Sequence, residues 1–483
     1  MMKVSLIALS IFATLLLAAS PEARSQSIER RSTLADQKAV AVTIYNQNLA
    51  LIKDMRVIEL DQGFNKLAFR EVSANMRPET ALLRSVSGRR GLQVIEQNFD
   101  FDLLTPHKLL EKFVGRSVRL VKTHPRTGAE TVLEARVLSA NNGVVLQVGD
   151  RIEMGIPGRV VFDSVPDNLR DRPTLVMHLH SPAASAQTLE LSYLTGGLSW
   201  KADYVAELNA ADNRLDLQGW VTLSNKSGTS YTNAKLQLVA GDLHRARREM
   251  DALRAGKSAP MAVAEAQVEM AEESLFEYHL YTLNRSTTLA DNQTKQVALL
   301  SAEAVPVKKE FLLRGRDYYY RSSYGDLGQK LKVGVYVEFE NRQRSNLGKP
   351  LPKGVVRVYK KDSSGNAQFL GEDHVDHTPK NESVRLKLGD AFDVTANKKQ
   401  TDFRKHASTR RYHYAIESAY EINLKNAKKE AVTVTVHEPV PGDWRMLEET
   451  QAHTKETAGT AVWRIKVPGE GRATLRYRVL VRY

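Results

Sequence analysis

The sequence predicts a mainly β protein with several domains, built from immunoglobulin-like β-sandwiches. Apolar and polar residues alternate with a period of two in many segments, as expected for half-buried strands. Clear examples are Val40, Val42 and Ile44, then Leu189, Leu191 and Tyr193, then Val333, Val335, Val337 and Phe339. The chain has 483 residues, more than one hydrophobic core usually serves, so more than one domain is expected.

The first 25 residues have the pattern of a cleaved secretion signal. Lys3 precedes an uncharged apolar run over residues 4–19, and Ala23 and Ser25 are the small side chains that signal peptidase reads, which leaves Gln26 as the new N-terminus. No later segment approaches the roughly 18 uncharged residues of a transmembrane helix. We therefore expect a protein secreted across the inner membrane, periplasmic or outer-membrane-associated, with no transmembrane helix after cleavage.

Composition narrows the class of protein. The chain contains no cysteine, which excludes disulfides and thiol catalysis and suits a bacterial periplasm. Loss of the signal removes two basic residues and one acidic residue, leaving 69 − 2 = 67 basic against 56 − 1 = 55 acidic residues, a net charge of +12. Such a charge attracts the polyanions of an envelope, although a basic surface without a specific partner only aids solubility.

Residues 36–242 are predicted to form an N-terminal β-sandwich region with a small SH3-like barrel inserted at residues 103–165. Thr105 is a suitable N-cap for a short helix over residues 106–114, and Gly115 suits the position after its end. Five short strands are then predicted, at residues 118–122, 132–138, 144–148, 151–154 and 159–162. Barrels of this size often bind peptides, but a structural insert is the favoured interpretation.

Residues 243–275 interrupt the β pattern. They are rich in Ala, Glu, Arg and Met and have no continuous apolar stripe, so a mobile or partly helical excursion is expected. Residues 276–483 form the predicted C-terminal β-sandwich region. Its last strand alternates and ends in Tyr483, as strands of outer-membrane barrels do, but closure of a sandwich is the favoured role.

Three stretches resemble degenerate copies of one unit, in which a strand runs into an asparagine, a polar turn and a second strand. The asparagines are Asn225, Asn341 and Asn426, within residues 220–238, 336–359 and 420–436. Asparagine tolerates left-handed backbone angles and bonds its own turn. We therefore predict three hairpins of the kind found in immunoglobulin-like sandwiches.

Seven short motifs along the mature chain resemble a known protein family. They are I-Y-N-Q-N-L-A-L-I from Ile44, Y-L-T-G-G-L-S-W-K-A-D-Y from Tyr193, E-Y-H-L-Y-T-L from Glu277, D-N-Q-T-K-Q-V from Asp291, F-L-G-E-D-H-V-D-H-T-P-K from Phe369, Q-T-D-F-R from Gln400 and P-G-D-W from Pro441. On these motifs the chain is identified as a member of the bacterial family of domain of unknown function 4139 (DUF4139), related to mucoidy inhibitors. The resemblance implies an exported, β-rich envelope protein and supplies no catalytic residues.

One segment has the composition of a ligand-binding surface. It comprises Arg314, Arg316, Tyr318, Tyr319, Tyr320, Arg321 and Tyr324. Aromatic faces stack on sugar rings, and arginine pairs with carboxylate groups through two hydrogen bonds. In an envelope the corresponding ligand is an acidic glycan, whereas nucleic acid is not expected there. The same alternation is also typical of a hairpin with one solvated face.

His374, Asp376 and His377 are the candidate metal ligands, because imidazole and carboxylate groups suit Zn²⁺ or Mn²⁺. On a strand, His374 and Asp376 would project from one face, so a third ligand on that face would have to come from elsewhere. A solvated loop before Thr378 and Pro379 is therefore favoured. We therefore predict no metal, no cofactor and no catalytic constellation.

Together these observations predict an exported, non-enzymatic cell-envelope protein. Its partners would be envelope components, such as an anionic polysaccharide or other envelope proteins. Two alternatives stay open: a metal-dependent hydrolase of envelope polymers and an outer-membrane-associated β protein.

Overall fold

The structure is a computed structural model that describes residues 29–87, 91–166, 169–241, 270–407 and 412–483. The predicted signal at residues 1–25 lies outside these residues, as does most of the predicted excursion. The last part of that excursion is a strand: Ala271–Leu275 pairs antiparallel with Tyr278–Thr282.

The mainly β fold class is confirmed. The first sixteen strands are β1 (Arg30–Ser32), β2 (Gln37–Tyr45), β3 (Leu49–Leu60), β4 (Gly63–Arg70), β5 (Leu82–Ser85), β6 (Gln93–Asp100), β7 (Ser117–Thr123), β8 (Glu130–Ser139), β9 (Val145–Val148), β10 (Arg151–Met154), β11 (Arg159–Val161), β12 (Thr174–Ser181), β13 (Ser185–Thr195), β14 (Leu198–Leu208), β15 (Arg214–Asn225) and β16 (Tyr231–Ala240).

The next fourteen strands are β17 (Ala271–Leu275), β18 (Tyr278–Thr282), β19 (Thr287–Leu289), β20 (Gln293–Arg314), β21 (Asp326–Glu340), β22 (Gly354–Lys361), β23 (Ala367–Val375), β24 (Ser383–His406), β25 (Ala415–Asn426), β26 (Val432–Pro439), β27 (Asp443–Glu449), β28 (Thr454–Thr457), β29 (Thr460–Val467) and β30 (Gly471–Arg482). The helices are α1 (Pro106–Lys112) and four 3-10 turns at Leu34–Asp36, Pro78–Thr80, Asp317–Tyr320 and Gln343–Ser345. Within the described ranges, no helix has the length and apolar character needed to cross a bilayer.

The chain divides into two compact units, which differ from the predicted domain boundaries. Among the described residues, the first unit comprises residues 29–36, 56–72 and 84–189. The second comprises residues 37–55, 73–83 and 190–483, so β3, β5 and β13 each contain residues of both units.

The first unit contains a four-stranded sheet with the order β1-β4-β12-β6 and the five-stranded sheet of the insert. The insert begins as the sequence predicts, because the Thr105 side chain accepts a hydrogen bond of 3.1 Å from the backbone N–H of Lys108 and caps α1. All five predicted strands are present, in the order β10-β9-β8-β7-β11. The two end strands of the predicted SH3-like barrel are not hydrogen-bonded to each other, so these five strands form an open sheet.

The second unit contains the long sheet β23-β22-β14-β15-β20-β21-β24-β25-β30-β27, to which β26 attaches through β20 and β29 through β26. The C-terminal core lies between β24, β25 and β30 on one side and β26 and β29 on the other, and its largest buried side chains include Trp463, Tyr420 and Tyr477. The final strand β30 pairs with β25 and β27. It therefore lies between two neighbours within this long sheet.

The three asparagine stretches are not hairpins, contrary to the prediction. Strand β15 pairs with β14 and β20, whereas β16 pairs with β2, β18 and β19. Likewise β21 is not bonded to β22, and β25 is not bonded to β26. Each stretch is thus an arch, whose two strands belong to different ladders. Alternation reveals which residues share a face, but it does not reveal which strand is the partner.

The three asparagines nevertheless have one structural role. Each is buried at the end of its first strand, where the side-chain amide donates to one backbone carbonyl of the arch and to at least one carbonyl of a segment distant in sequence, and the side-chain carbonyl accepts a backbone N–H of the arch. The donor bonds run from Asn225 to Thr229, Leu289 and Ala290, from Asn341 to Lys349 and Pro379, and from Asn426 to Glu430 and Pro468. The accepted bonds come from Ser227, Gly348 and Lys428. None of the three asparagines has a positive φ, so that part of the prediction is wrong.

Candidate functional site

The predicted ligand-binding segment lies between β20 and β21, where a 3-10 turn at Asp317–Tyr320 interrupts the strands. Arg314 ends β20 and is exposed, as are Arg316, Tyr318 and Arg321. Five of the seven predicted residues are therefore at least partly accessible, because Tyr324 is half-buried. The segment is not the hairpin with one solvated face that the alternation also suggested.

Tyr319 and Tyr320 do not belong to this surface. Their exposed fractions are 5% and 0%, and both rings pack in the C-terminal core. The 3-10 turn is the physical reason, because its three-residue period directs neighbouring side chains around the turn and does not alternate them between two faces. A surface ligand therefore has access to Tyr318 and Tyr324, and these two rings contact each other edge-to-face at 5.8 Å.

The accessible arginines differ in whether a carboxylate of the protein already pairs with them. Arg321 forms a 2.7 Å ion pair with Asp317, and both side chains are exposed. The guanidinium groups of Arg314 and Arg316 have no carboxylate partner within the described residues. These two groups are thus available to pair with a carboxylate of a ligand.

Further aromatic and basic groups adjoin the segment. The hydroxyl of Tyr483 donates to the backbone carbonyl of Tyr320 at 3.2 Å, and its ring stacks on Tyr414 at 5.0 Å. Lys405 places its ammonium 5.0 Å from the centre of the Tyr414 ring. We name the following set the Arg/Tyr surface: Arg314, Arg316, Tyr318, Arg321, Tyr324, Lys405, Tyr414 and Tyr483.

Beneath this surface lies a buried ion pair that the sequence analysis missed. The ammonium of Lys398 in β24 is 2.7 Å from Oε2 of Glu438 in β26, and the side chains are 1% and 0% exposed. The Tyr320 hydroxyl donates to the same carboxylate oxygen at 2.7 Å and lies 2.9 Å from the Tyr477 hydroxyl. The Tyr477 hydroxyl is also 3.2 Å from the lysine nitrogen. Four polar groups thus form one network without access to solvent.

Aromatic rings enclose the lysine of this network. The Lys398 nitrogen lies 4.5 Å from the ring centre of Tyr319 and 5.0 Å from that of Tyr420. The rings of Tyr320 and Tyr477 are each 5.8 Å away. Cation–π attraction of this kind stabilises a desolvated ammonium by about 2 kcal/mol.

Burial shifts the proton equilibria of the network. It lowers the pKa of Lys398, while the charge of Glu438 opposes that shift. Burial, reinforced by the Glu438 charge, raises the pKa of the Tyr320 and Tyr477 hydroxyls well above its usual range. The tyrosines therefore stay protonated and act as hydrogen-bond donors.

A signal for the buried pair was present in the sequence. Val394 and Ala396 alternate onto the buried face of β24, and the same period places Lys398 on that face. In β26 the buried residues Val432, Val434 and Val436 lead to Glu438 by the same period. Lys398 is followed by Lys399, and Glu438 is preceded by His437. These polar neighbours favoured the interpretation that both residues lie in solvated stretches.

The candidate metal ligands lie in and after β23. His374 is exposed within the strand, and Asp376 and His377 follow its end. The Nδ1 atom of His377 accepts a 3.3 Å hydrogen bond from the backbone of Lys353. In the ranges that the structure describes, no three His, Asp or Glu side chains converge as a metal ion would require.

The fold defines the class of protein: a mainly β protein of two compact units with a sandwich-like architecture. A family model described as "Domain of unknown function (DUF4139)" matches residues 189–483. The chain therefore belongs to this family, as the motifs predict. The match begins next to residue 190, where the long continuous part of the second unit starts, and it includes the Arg/Tyr surface and the buried network. No curated protein matches the chain.

Proposed function

We propose that this is an exported, non-enzymatic cell-envelope protein that binds an anionic polysaccharide through the Arg/Tyr surface. The observation that supports the proposal is the position of Arg314 and Arg316, two exposed cations without carboxylate partners, next to the exposed ring of Tyr318. Tyr318 is 46% exposed, so a ligand has access to part of this side chain.

This combination of groups matches the chemistry of an acidic sugar. A uronate residue carries one carboxylate, which a guanidinium recognises through two parallel hydrogen bonds. The apolar face of the sugar ring packs on an aromatic ring, as Tyr318, Tyr324, Tyr414 and Tyr483 would allow. Repeated carboxylates along a polymer would engage Arg314 and Arg316 at the same time.

The net charge favours the same partner. A protein with a formal charge of +13, or +12 after signal cleavage, attracts polyanions over a distance of about one Debye length. Export is the part of the proposal that rests only on the first 25 residues, which lie outside the described residues.

A binding experiment with two charge-matched variants tests the site. Changing Arg314 and Arg316 to alanine removes two positive charges from the Arg/Tyr surface, and changing Lys428 and Lys429 to alanine removes two from a remote turn. At low salt we expect the arginine variant to bind alginate at least about tenfold more weakly, because each lost charge-assisted contact costs about 1.5–3 kcal/mol. The lysine variant should lose about twofold or less.

The salt dependence provides the second measurement. Affinity for alginate should fall steeply as the salt concentration rises, and dextran, a neutral glycan, should not bind. Equal losses of affinity in the two variants would show that the net charge of the protein attracts the glycan, and that the Arg/Tyr surface is not a local binding site. Absence of binding at low salt would refute glycan recognition.

A further inference from the structure

We propose that Lys398 and Glu438 form a covalent amide bond that joins the two layers of the C-terminal sandwich. In this step Nζ of Lys398 bonds to Cδ of Glu438, the bond from Cδ to one carboxyl oxygen breaks, and that oxygen leaves as water. The amine loses one hydrogen and the carboxylic acid loses a hydroxyl group, so the step needs no oxidant, reductant or co-reactant.

The positions of the two groups favour this reaction. Nζ and Oε2 are 2.7 Å apart, held from two strands that are not hydrogen-bonded to each other. The backbone on both sides is fixed, since β24 is paired with β21 and β25, and β26 with β20 and β29. Reacting groups held in this way react with effective concentrations far above those in solution.

The absence of solvent changes the chemistry of the pair. With side chains 1% and 0% exposed, the ionised pair carries a large desolvation cost. Proton transfer from the ammonium to the carboxylate removes both charges and produces a neutral amine, which is the nucleophile, and a neutral acid, which is the electrophile. Burial lowers the pKa of Lys398 and thus favours this transfer.

The remaining contacts of Glu438 suit an amide better than a carboxylate. Its Oε1 atom is buried and has no hydrogen-bond partner within the described residues. An unpaired carboxylate oxygen in a dry core is costly, whereas a neutral amide oxygen costs less. The Tyr320 hydroxyl donates to Oε2, the leaving oxygen, at 2.7 Å, and so assists its departure as water.

The bond would supply a constraint that this chain otherwise lacks. The sequence contains no cysteine, so no disulfide can cross-link its sandwiches. An amide between residues 398 and 438 would close a loop across the core and, as a disulfide does, reduce the freedom of the unfolded chain.

The mass of the purified, fully denatured protein tests the proposal directly. If the bond forms, the intact mass is lower than the sequence mass by one water molecule. In a tryptic digest the chain is then not cut after Lys398, and the peptide of residues 388–399 is linked to the peptide of residues 430–445. Lys398→Arg should restore the full mass, and the wild-type result does not depend on whether this variant folds.

A second ion pair in the same unit is a matched control. Lys361 and Glu207 are 2.6 Å apart, but their side chains are 59% and 39% exposed, so this pair does not have the desolvation cost of the buried pair. This pair should show no linkage in the same digest. An intact mass equal to the sequence mass overturns the proposal, and so does a water loss that maps to Lys361 or to any position other than Lys398 and Glu438.

Discussion

The asparagine arches allow a sharp test of how this sandwich is stabilised, and Asn426 is the most favourable position. Its side-chain amide donates to the carbonyls of Glu430 and Pro468, both at 2.9 Å, and its side-chain carbonyl accepts the backbone N–H of Lys428 at 3.0 Å. The residue is 3% exposed. Asn426→Ala removes all three hydrogen bonds and leaves backbone groups of the arch without their partner.

The expected loss in the free energy of unfolding follows from the number of hydrogen bonds that the substitution removes. A hydrogen bond contributes about 0.5–1.5 kcal/mol net, and a buried group left without a partner costs up to about 3 kcal/mol. Three such bonds correspond to a loss of about 2–4 kcal/mol in the free energy of unfolding, reduced where water enters the turn. This is a large effect for a single substitution, because most surface changes stay within about 0.5 kcal/mol.

Asn423 in the same strand is the matched control. It is half-buried, and its hydrogen bonds go to the side chains of Glu421 and Thr474, which water can replace. Urea unfolding followed by tryptophan fluorescence should give a loss of about 0.5 kcal/mol for Asn423→Ala. Trp444 and Trp463 lie in the same core and report on it. If Asn426→Ala lowers the stability no more than Asn423→Ala, the arch asparagines are not the stabilising feature that their geometry indicates.

Two further predictions concern the same sandwich. A Cβ at Gly315 would lie 2.5 Å from Cδ of Glu438, whose side chain is fixed by its buried contacts. Gly315→Ala should therefore lower the free energy of unfolding by about 1–3 kcal/mol. Gly325 has open space around it, so Gly325→Ala should be close to neutral in the same urea experiment. Equal effects of the two alanines would contradict the packing argument. The hydrogen bond from Arg476 lowers the pKa of Glu421 from 4.5 to about 2, so its stabilising effect is present above pH 4.5 and is lost as the pH falls to about 2. Glu421→Gln should therefore flatten the fall in melting temperature over this pH range, and an unchanged slope would show that this ion pair is not coupled to folding.

The local sequence predicted several elements closely. The insert illustrates this, because its strands, its N-cap at Thr105 and the turn at Gly115 depend on residues close together in the chain. Asn225, Asn341 and Asn426 were recognised for the same reason, since an asparagine at the end of a strand bonds to its own turn. What the sequence did not reveal was that the strands on either side of each asparagine belong to different ladders.

The candidate site, too, was predicted only in part from the local sequence. The exposed part of the Arg/Tyr surface was predicted from residues 314–324, but the burial of Tyr319 and Tyr320 depends on a 3-10 turn that alternation does not indicate. The buried pair of Lys398 and Glu438 was missed, because charged residues in a sequence are ordinarily assigned to the surface.

The sequence by itself determined the β class, the family and the faces on which residues of one strand lie, because these follow from local composition and from a period of two. Only the tertiary structure decided which strands pair and which faces meet. Lys398 and Glu438 are forty positions apart in strands without a common hydrogen bond, and they come within 2.7 Å only when two layers close around one core. That closure is driven by burial of apolar surface, which is not directional. The alternation in the sequence therefore marks the face of a strand that is buried, but not the face of the other layer that it meets.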